Sequence, residues 1–218
     1  MGFFSGLPLL LTSATLGTWL ADVGVNKTTI GLFALVGIPY SLKFLWASFL
    51  DTNIKLRLLK KMGRRRIWIL IFQILICVNI FIMAQIDPVI NTMQMAIFAI
   101  TLAFFSASQD IAIDAWRIEI NEEKELGLGA ALYVTGYRIA LLAAGAGALV
   151  IADIYSWKLS FILLSCIYPL GIILVLSIKI EDKSSNVKVV ENSIKNIIED
   201  RVLKPFYDFI IKKNWILI

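Results

Sequence analysis

Residues 67–86 read IWILIFQILICVNIFIMAQI, twenty positions without a charged side chain. At about 1.5 Å per residue such a helix is about 30 Å long, the thickness of a bilayer's hydrocarbon core. Gly63-Arg64-Arg65-Arg66 precedes it and Asp87-Pro88 follows it, so the stretch is bounded at both ends. Working outward, further apolar stretches cover 3–21, 29–49, 92–114, 128–151 and 158–178. The 218 residues are 59% hydrophobic and 17% charged, with a mean hydropathy of +0.81. An ordinary globular chain is roughly 45–50% apolar and about 25% charged, so one water-facing core could not hide this much apolar surface. The expected fold is an all-α membrane protein with six transmembrane helices in the lipid bilayer.

The first stretch lacks a basic leading region and an obvious cleavage site, and five more follow it, so it reads as a retained helix rather than a signal peptide. The connections at 22–28, 87–91 and 152–157 are short, and those at 50–66, 115–127 and after 178 are longer and more charged. Seventeen of the 21 lysines and arginines fall on the second set, seven of them between Lys55 and Arg66. The positive-inside rule then puts the N-terminus, the 50–66 loop and the tail in the cytoplasm. Topology thus accounts for the net charge of +5. The basic residues flank apolar spans without the interleaved aromatics that stack on bases, which argues against nucleic acid as a partner.

Three segments follow: a six-helix bundle over 1–178, a cytoplasmic linker over 179–213, and the start of a seventh helix at 214–218. Within the linker, Ile194, Ile197, Ile198, Val202 and Leu203 recur at roughly helical spacing, as in an interfacial amphipathic helix. Trp215 stands where an aromatic belt residue would.

The chain has no histidine, the usual proton switch and the commonest metal ligand. Proton chemistry therefore falls to carboxylates. Cys77 and Cys166 lie inside apolar runs, which suits lipid or helix contact better than a disulfide or a metal site. No metal or cofactor is implied, and no catalytic residue stands out as an enzyme would require. Gly127-Leu128-Gly129 is too short for a dinucleotide fingerprint and follows no strand. In the first span Gly6-Leu7-Pro8 predicts a kink whose freed carbonyls either coordinate a solute or simply mark a bend. In the fifth, Gly136, Ala140, Ala144 and Ala148 recur every four residues beside Gly145 and Gly147, a pattern for close helix approach.

Ionisable residues inside spans are costly, at least about 2.5–3.5 kcal/mol near the bilayer centre, and face a partner or a water-filled cavity. Lys43 lies in the second span, Arg138 near mid-depth in the fifth, and Asp110 and Asp114 in the fourth. The i, i+4 spacing puts Ser106, Asp110 and Asp114 on one face. For Asp114 and Lys43 the alternative is snorkelling to the interface. A buried carboxylate's protonation can follow the state of its cavity, which makes Asp110, and with it Asp114, a candidate for proton coupling. Arg138 is a candidate for orienting an anionic solute.

The run Ser106-Ala107-Ser108-Gln109-Asp110-Ile111-Ala112-Ile113-Asp114-Ala115-Trp116-Arg117 closely resembles the fourth-helix signature of the AmpG-type muropeptide permeases, a branch of the major facilitator superfamily. Gly6-Leu7-Pro8-Leu9, Lys43-Phe44-Leu45-Trp46, Gly127-Leu128-Gly129-Ala130-Ala131 and Gly136-Tyr137-Arg138 agree with it. Lys204-Pro205-Phe206-Tyr207-Asp208-Phe209 resembles the lead into that family's seventh helix. The chain is also similar, more distantly, to the acetyl-coenzyme A transporters. The resemblance implies the N-terminal half of a major facilitator fold and a proton-coupled importer of anhydro-muropeptides in the inner membrane of a Gram-negative bacterium. It places Lys43, Gln109, Tyr137 and Arg138 at the solute. Asp51 with Gly63, Arg64 and Arg65 resembles a stretched form of the superfamily's gating loop, with Ala47 where a glycine is usual.

A complete member of that family has two six-helix halves. The reading for this chain is the first half. Three arrangements stay open: an inactive remnant acting at most as a membrane interaction protein, a half-transporter that pairs with a second copy or a separately encoded C-terminal half, or a fragment of a longer protein.

Overall fold

A computed structural model describes residues 1–51 and 63–178, apart from the side chains of Ser48 and Asp51. The regular structure among these residues is helical throughout. The segments 179–213 and 214–218, and the loop residues 52–62, lie outside the described residues. Five described stretches are long and apolar enough to cross a membrane: Gly2–Asp22, Arg64–Met83, Thr92–Ile120, Glu123–Ile154 and Trp157–Ser177. They are the first, third, fourth, fifth and sixth expected spans. The second, expected as one helix over 29–49, is instead a series of short pieces: Lys27–Leu32, a 3-10 turn at Phe33–Gly37, Ile38–Leu42, Phe44–Ala47 and a 3-10 turn at Ser48–Asp51.

Prolines explain where the spans depart from regular helix. Proline has no N–H to give the carbonyl four residues back, and in a membrane that carbonyl must find another donor. For Pro39 the carbonyl belongs to Leu35, and the Ile38 N–H takes it at the tighter i+3 spacing, which sets the 3-10 turn. For Pro169 it belongs to Ser165, where the sixth span breaks between Trp157–Ser165 and Tyr168–Ser177, and the Cys77 thiol of the third span donates to it at 3.4 Å. For Pro8 it belongs to Phe4, whose oxygen accepts from Gln109 Nε2 at 2.9 Å and from the Tyr168 hydroxyl at 3.1 Å. The first span breaks one turn later, at Thr12 and Ser13, whose hydroxyls bond back to the Pro8 and Leu9 carbonyls.

The fourth helix runs to Ile120 rather than ending at 114. Its last turns carry Asp114 and Arg117 at i, i+3 and Glu119 paired with Arg65, so polar partners continue the helix beyond its apolar part.

The first span is the centre of the bundle, with 61% of its apolar window buried, whereas the fifth has only 17% buried. Most of what the fifth does bury lies against the first. Gly2, Gly6 and Gly136 let the two backbones meet: a Cβ on Gly6 would stand 2.7 Å from the Tyr137 carbonyl oxygen, and one on Gly136 3.1 Å from the Phe3 nitrogen. Ala140 and Ala144 continue the seam fully buried, and Ala148, also buried, packs toward the sixth span, whose Ser160 hydroxyl donates to its carbonyl at 2.9 Å, so the four-residue stripe is a packing face as its spacing predicts. Inside it the fifth span makes one π-helical turn, Ala143–Gly147, whose Ala144 carbonyl accepts from the Thr15 hydroxyl at 2.7 Å. At the end opposite Met1, Trp19 lies between Trp157, stacked at 6.0 Å, and Phe161, while Trp157 Nε1 donates to Asp22 at 2.7 Å.

Candidate functional site

Five spans bring polar side chains to the buried side of the fourth helix. Ser106, Gln109 and Asp110 share that side because they are separated by three and four residues, and all three are buried. The first span supplies Ser5, whose hydroxyl donates to Asp110 Oδ1. The fifth supplies Tyr133, whose hydroxyl is 2.6 Å from Ser5 Oγ. Because the one Ser5 proton is directed at Asp110, Tyr133 is the donor of that second bond. The second span contributes Tyr40, which faces Ser106 and Thr12, and Lys43, half-buried, which acts on Asp110 through space. From the sixth comes Tyr168, fully buried, on the Phe4 carbonyl.

The cluster is not closed on itself. The Tyr40 hydroxyl, Ser106 Oγ and Gln109 Oε1 are buried without a hydrogen bond among the described residues. Buried polar atoms are normally paired, so hydrogen-bonding capacity beside this helix face is left unused, with Tyr40 and Ser106 facing each other.

The residues singled out by sequence fall in three places. Asp110 and Gln109 are inside the cluster, with Lys43 at its edge. Gln109 spends its amide group on the Phe4 carbonyl. The carbonyl that Pro8 frees is therefore a fastening between helices, a role that neither solute coordination nor a simple bend describes. Tyr137 lies half-buried with its ring against Gly6 and 6.3 Å from the Tyr133 ring. Its neighbour Arg138 is exposed on the bare side of the fifth span. Asp114 is a turn away from Asp110 toward the Met1 end, 3.4 Å from Arg117, whose guanidinium sits 5.2 Å from the centre of the Tyr133 ring.

Of the residues that resemble a gating loop, Gly63, Arg64 and Arg65 lie apart from the cluster at that same end, and the side chain of Asp51 is outside the described residues. Gly63 begins the third helix at φ 77° and ψ 152°, a conformation essentially reserved for glycine. Arg65 Nε bonds Glu119 at 3.1 Å, tying the third helix to the fourth. Arg66 donates to the Val175 carbonyl at 2.7 Å, one of the last four in the sixth span, which has no donor within its own helix. Replacing Arg66 with Met should lower stability by about 1.5–3 kcal/mol, as expected for a buried hydrogen bond from a charged group. Thermal unfolding of the detergent-purified protein checks this, and an unchanged midpoint would leave the Val175 contact without energetic weight.

Ser5, Tyr40, Tyr133 and Tyr168 were not among the residues expected from sequence. The available signals were polar side chains in otherwise apolar spans, and the Gly2 and Gly6 spacing, which puts Ser5 on a helix able to approach its neighbour closely.

The chain is 36% identical, over all of its length, to the anhydromuropeptide permease of Escherichia coli strain K12, of which it covers 43%. It is 40% identical over 84% of its length to an uncharacterized protein of Haemophilus influenzae, covering 42% of that protein. To a transporter of Rickettsia felis that carries the name AmpG it is 33% identical over 96% of its length, covering 50%. The chain thus spans about half the length of the curated relatives it matches. The family model of the Major Facilitator Superfamily matches residues 1–218. A bundle of apolar spans around a buried polar cluster, with this match over its whole length, makes the chain a multi-pass membrane protein that belongs to the Major Facilitator Superfamily.

Proposed function

We propose that the chain is the first half of a proton-driven carrier that brings anhydromuropeptides across the inner membrane of a Gram-negative bacterium, with its N-terminus, the 50–66 loop and the tail in the cytoplasm. The observation that carries this reading is the match, along the entire chain, to the anhydromuropeptide permease of Escherichia coli. The loop charges carry the orientation.

Within that reading Asp110, with Asp114, handles the proton, and Lys43, Gln109, Tyr137 and Arg138 meet the solute. Arg138 is exposed and about 18 Å along a helix that starts at Leu126. A cation at that depth faces water or another protein rather than lipid, so its side of the fifth span looks into the cavity between two halves, where it suits a carboxylate of the peptide. Asp51, Gly63, Arg64 and Arg65 act at the cytoplasmic end, where the Arg65–Glu119 pair opens and closes with the gate. The cavity closes against a second six-span half, whether carried on a longer chain, separately encoded or supplied by a second copy.

The test is uptake into vesicles that contain the chain together with a second half, using a labelled anhydromuropeptide. Uptake that needs both halves and an inward proton gradient, and that acetyl-coenzyme A does not compete, is the expected result. An assembled pair that moves no anhydromuropeptide would overturn it in favour of a membrane interaction protein or a relic. Competition by acetyl-coenzyme A would move the chain to the other class of carrier.

A further inference from the structure

The hydrogen bonds of Asp110 lead somewhere. Ser5 Oγ touches the carboxylate on one side and the Tyr133 hydroxyl on the other. Tyr133 in turn lines a cleft between the first, fourth and fifth spans at the Met1 end, together with Met1, Gly2, Arg117 and Asn121. Ser5 itself is buried and does not line that cleft. Tyr133 thus belongs both to the cleft lining and, through its hydroxyl, to the Ser5–Asp110 chain of hydrogen bonds.

We propose that Ser5 and Tyr133 form a proton relay between Asp110 and this cleft. The proposal deepens the reading of Asp110 as the proton-carrying group and rests on it. As a proton reaches the Tyr133 oxygen from cleft water, the phenol O–H bond breaks toward Ser5 Oγ, and the Ser5 O–H bond breaks toward Asp110 Oδ1. The carboxylate becomes a carboxylic acid, the water is left as hydroxide or is restored from bulk, and Ser5 and Tyr133 end neutral as they began. Release runs the same bonds in reverse. The pre-existing donor directions, Tyr133 to Ser5 to Asp110, are those an arriving proton requires.

The groups that act on Asp110 are Lys43 from the second span and Asp114 from its own helix. Asp110 in turn acts on Tyr40 of the second span, Tyr133 and Tyr137 of the fifth, and Tyr168 of the sixth. Among the described hydrogen bonds, Ser5 is the one that joins the Asp110 side chain to another span, and Tyr133 the one that continues from Ser5 toward the cleft. Arg117 lies against the face of the Tyr133 ring and holds it in place.

Infrared spectroscopy on the full chain in lipid nanodiscs tests the relay without any transport assay. The carbonyl stretch of a protonated carboxyl, assigned to Asp110 by its loss in Asp110→Asn, is followed as solvent is switched to deuterium oxide. Tyr133→Phe removes one hydroxyl and little volume, and should slow deuteration of that group about a hundredfold, the lower end of what a positioned proton-transfer group contributes. The pH at which the band appears should stay where it was, and the thermal midpoint should fall by no more than the loss of one hydrogen bond explains. Ser5→Ala should slow it likewise. Deuteration as fast in Tyr133→Phe as in the unmodified chain would overturn the relay and show that water reaches Asp110 by another route. Absence of the band at every pH would instead overturn the reading of Asp110 as a proton carrier, and the relay with it.

Discussion

Gly6→Val should cost the protein its folded bundle, while Gly17→Ala, eleven residues along the same span, should leave it intact. At Gly6 the added Cβ would stand 2.7 Å from a backbone oxygen, that of Tyr137, and about as close to that residue's ring. A ring can turn, but a carbonyl in the middle of a helix cannot, so the two spans must move apart. Overpacking of this kind costs about 1–3 kcal/mol by itself. Separation also stretches the bonds that depend on the approach, Ser5 to Tyr133 and Thr15 to the Ala144 carbonyl, at about 0.5–1.5 kcal/mol each. In the membrane no alternative donor replaces them cheaply. At Gly17 nothing lies within 4 Å of a new Cβ, and alanine is the better helix former. Yield of monodisperse protein and its melting temperature distinguish the two variants, and a Gly6→Val protein that melts with Gly17→Ala would show that the seam tolerates more space than the glycines imply.

What could be read from the sequence follows from the range over which each signal acts. Span existence is a local property, because twenty apolar residues exclude water wherever they fold, and 67–86 emerged as Arg64–Met83. The stripe at Gly136, Ala140, Ala144 and Ala148 was legible for the same reason, since its spacing alone defines a face. Helix continuity was less so. Hydropathy cannot see that Pro39 removes a donor and tightens the second span, nor that Glu119 finds Arg65 and carries the fourth helix to Ile120. The site was half legible. Asp110 is conspicuous because a carboxylate in an apolar run is costly, but its partner Ser5 lies 105 residues before it, and Ser5's other partner, Tyr133, lies 23 residues after it. Serine and tyrosine are cheap enough in a span to carry no warning of their own, and it is the packing of Gly2 on Tyr133 and of Gly6 on Tyr137 that brings them to the carboxylate.

On the proposed reading of the chain as half of a proton-driven carrier, Asp110→Asn separates the fold from the chemistry, and its expected effect on transport is the loss of gradient-driven accumulation. The amide has the shape of the carboxylate and keeps an oxygen for the Ser5 hydroxyl to bond, so the contact between the first and fourth spans survives. The Phe4 carbonyl stays fastened by Gln109 and Tyr168, neither of which touches the changed group. What disappears is the ability to take up and release a proton, and with it the differential between protonated and deprotonated states on which a proton gradient must act. In vesicles holding both halves of the carrier, net accumulation of solute should fall to the level of vesicles without a gradient. Exchange of solute already bound, which moves no net proton, should persist. Loss of both together would point to a damaged solute site rather than to coupling. Accumulation that continued unchanged would remove Asp110 from the proton path and leave Asp114, 3.4 Å from Arg117 at the Met1 end, as the carboxylate to examine.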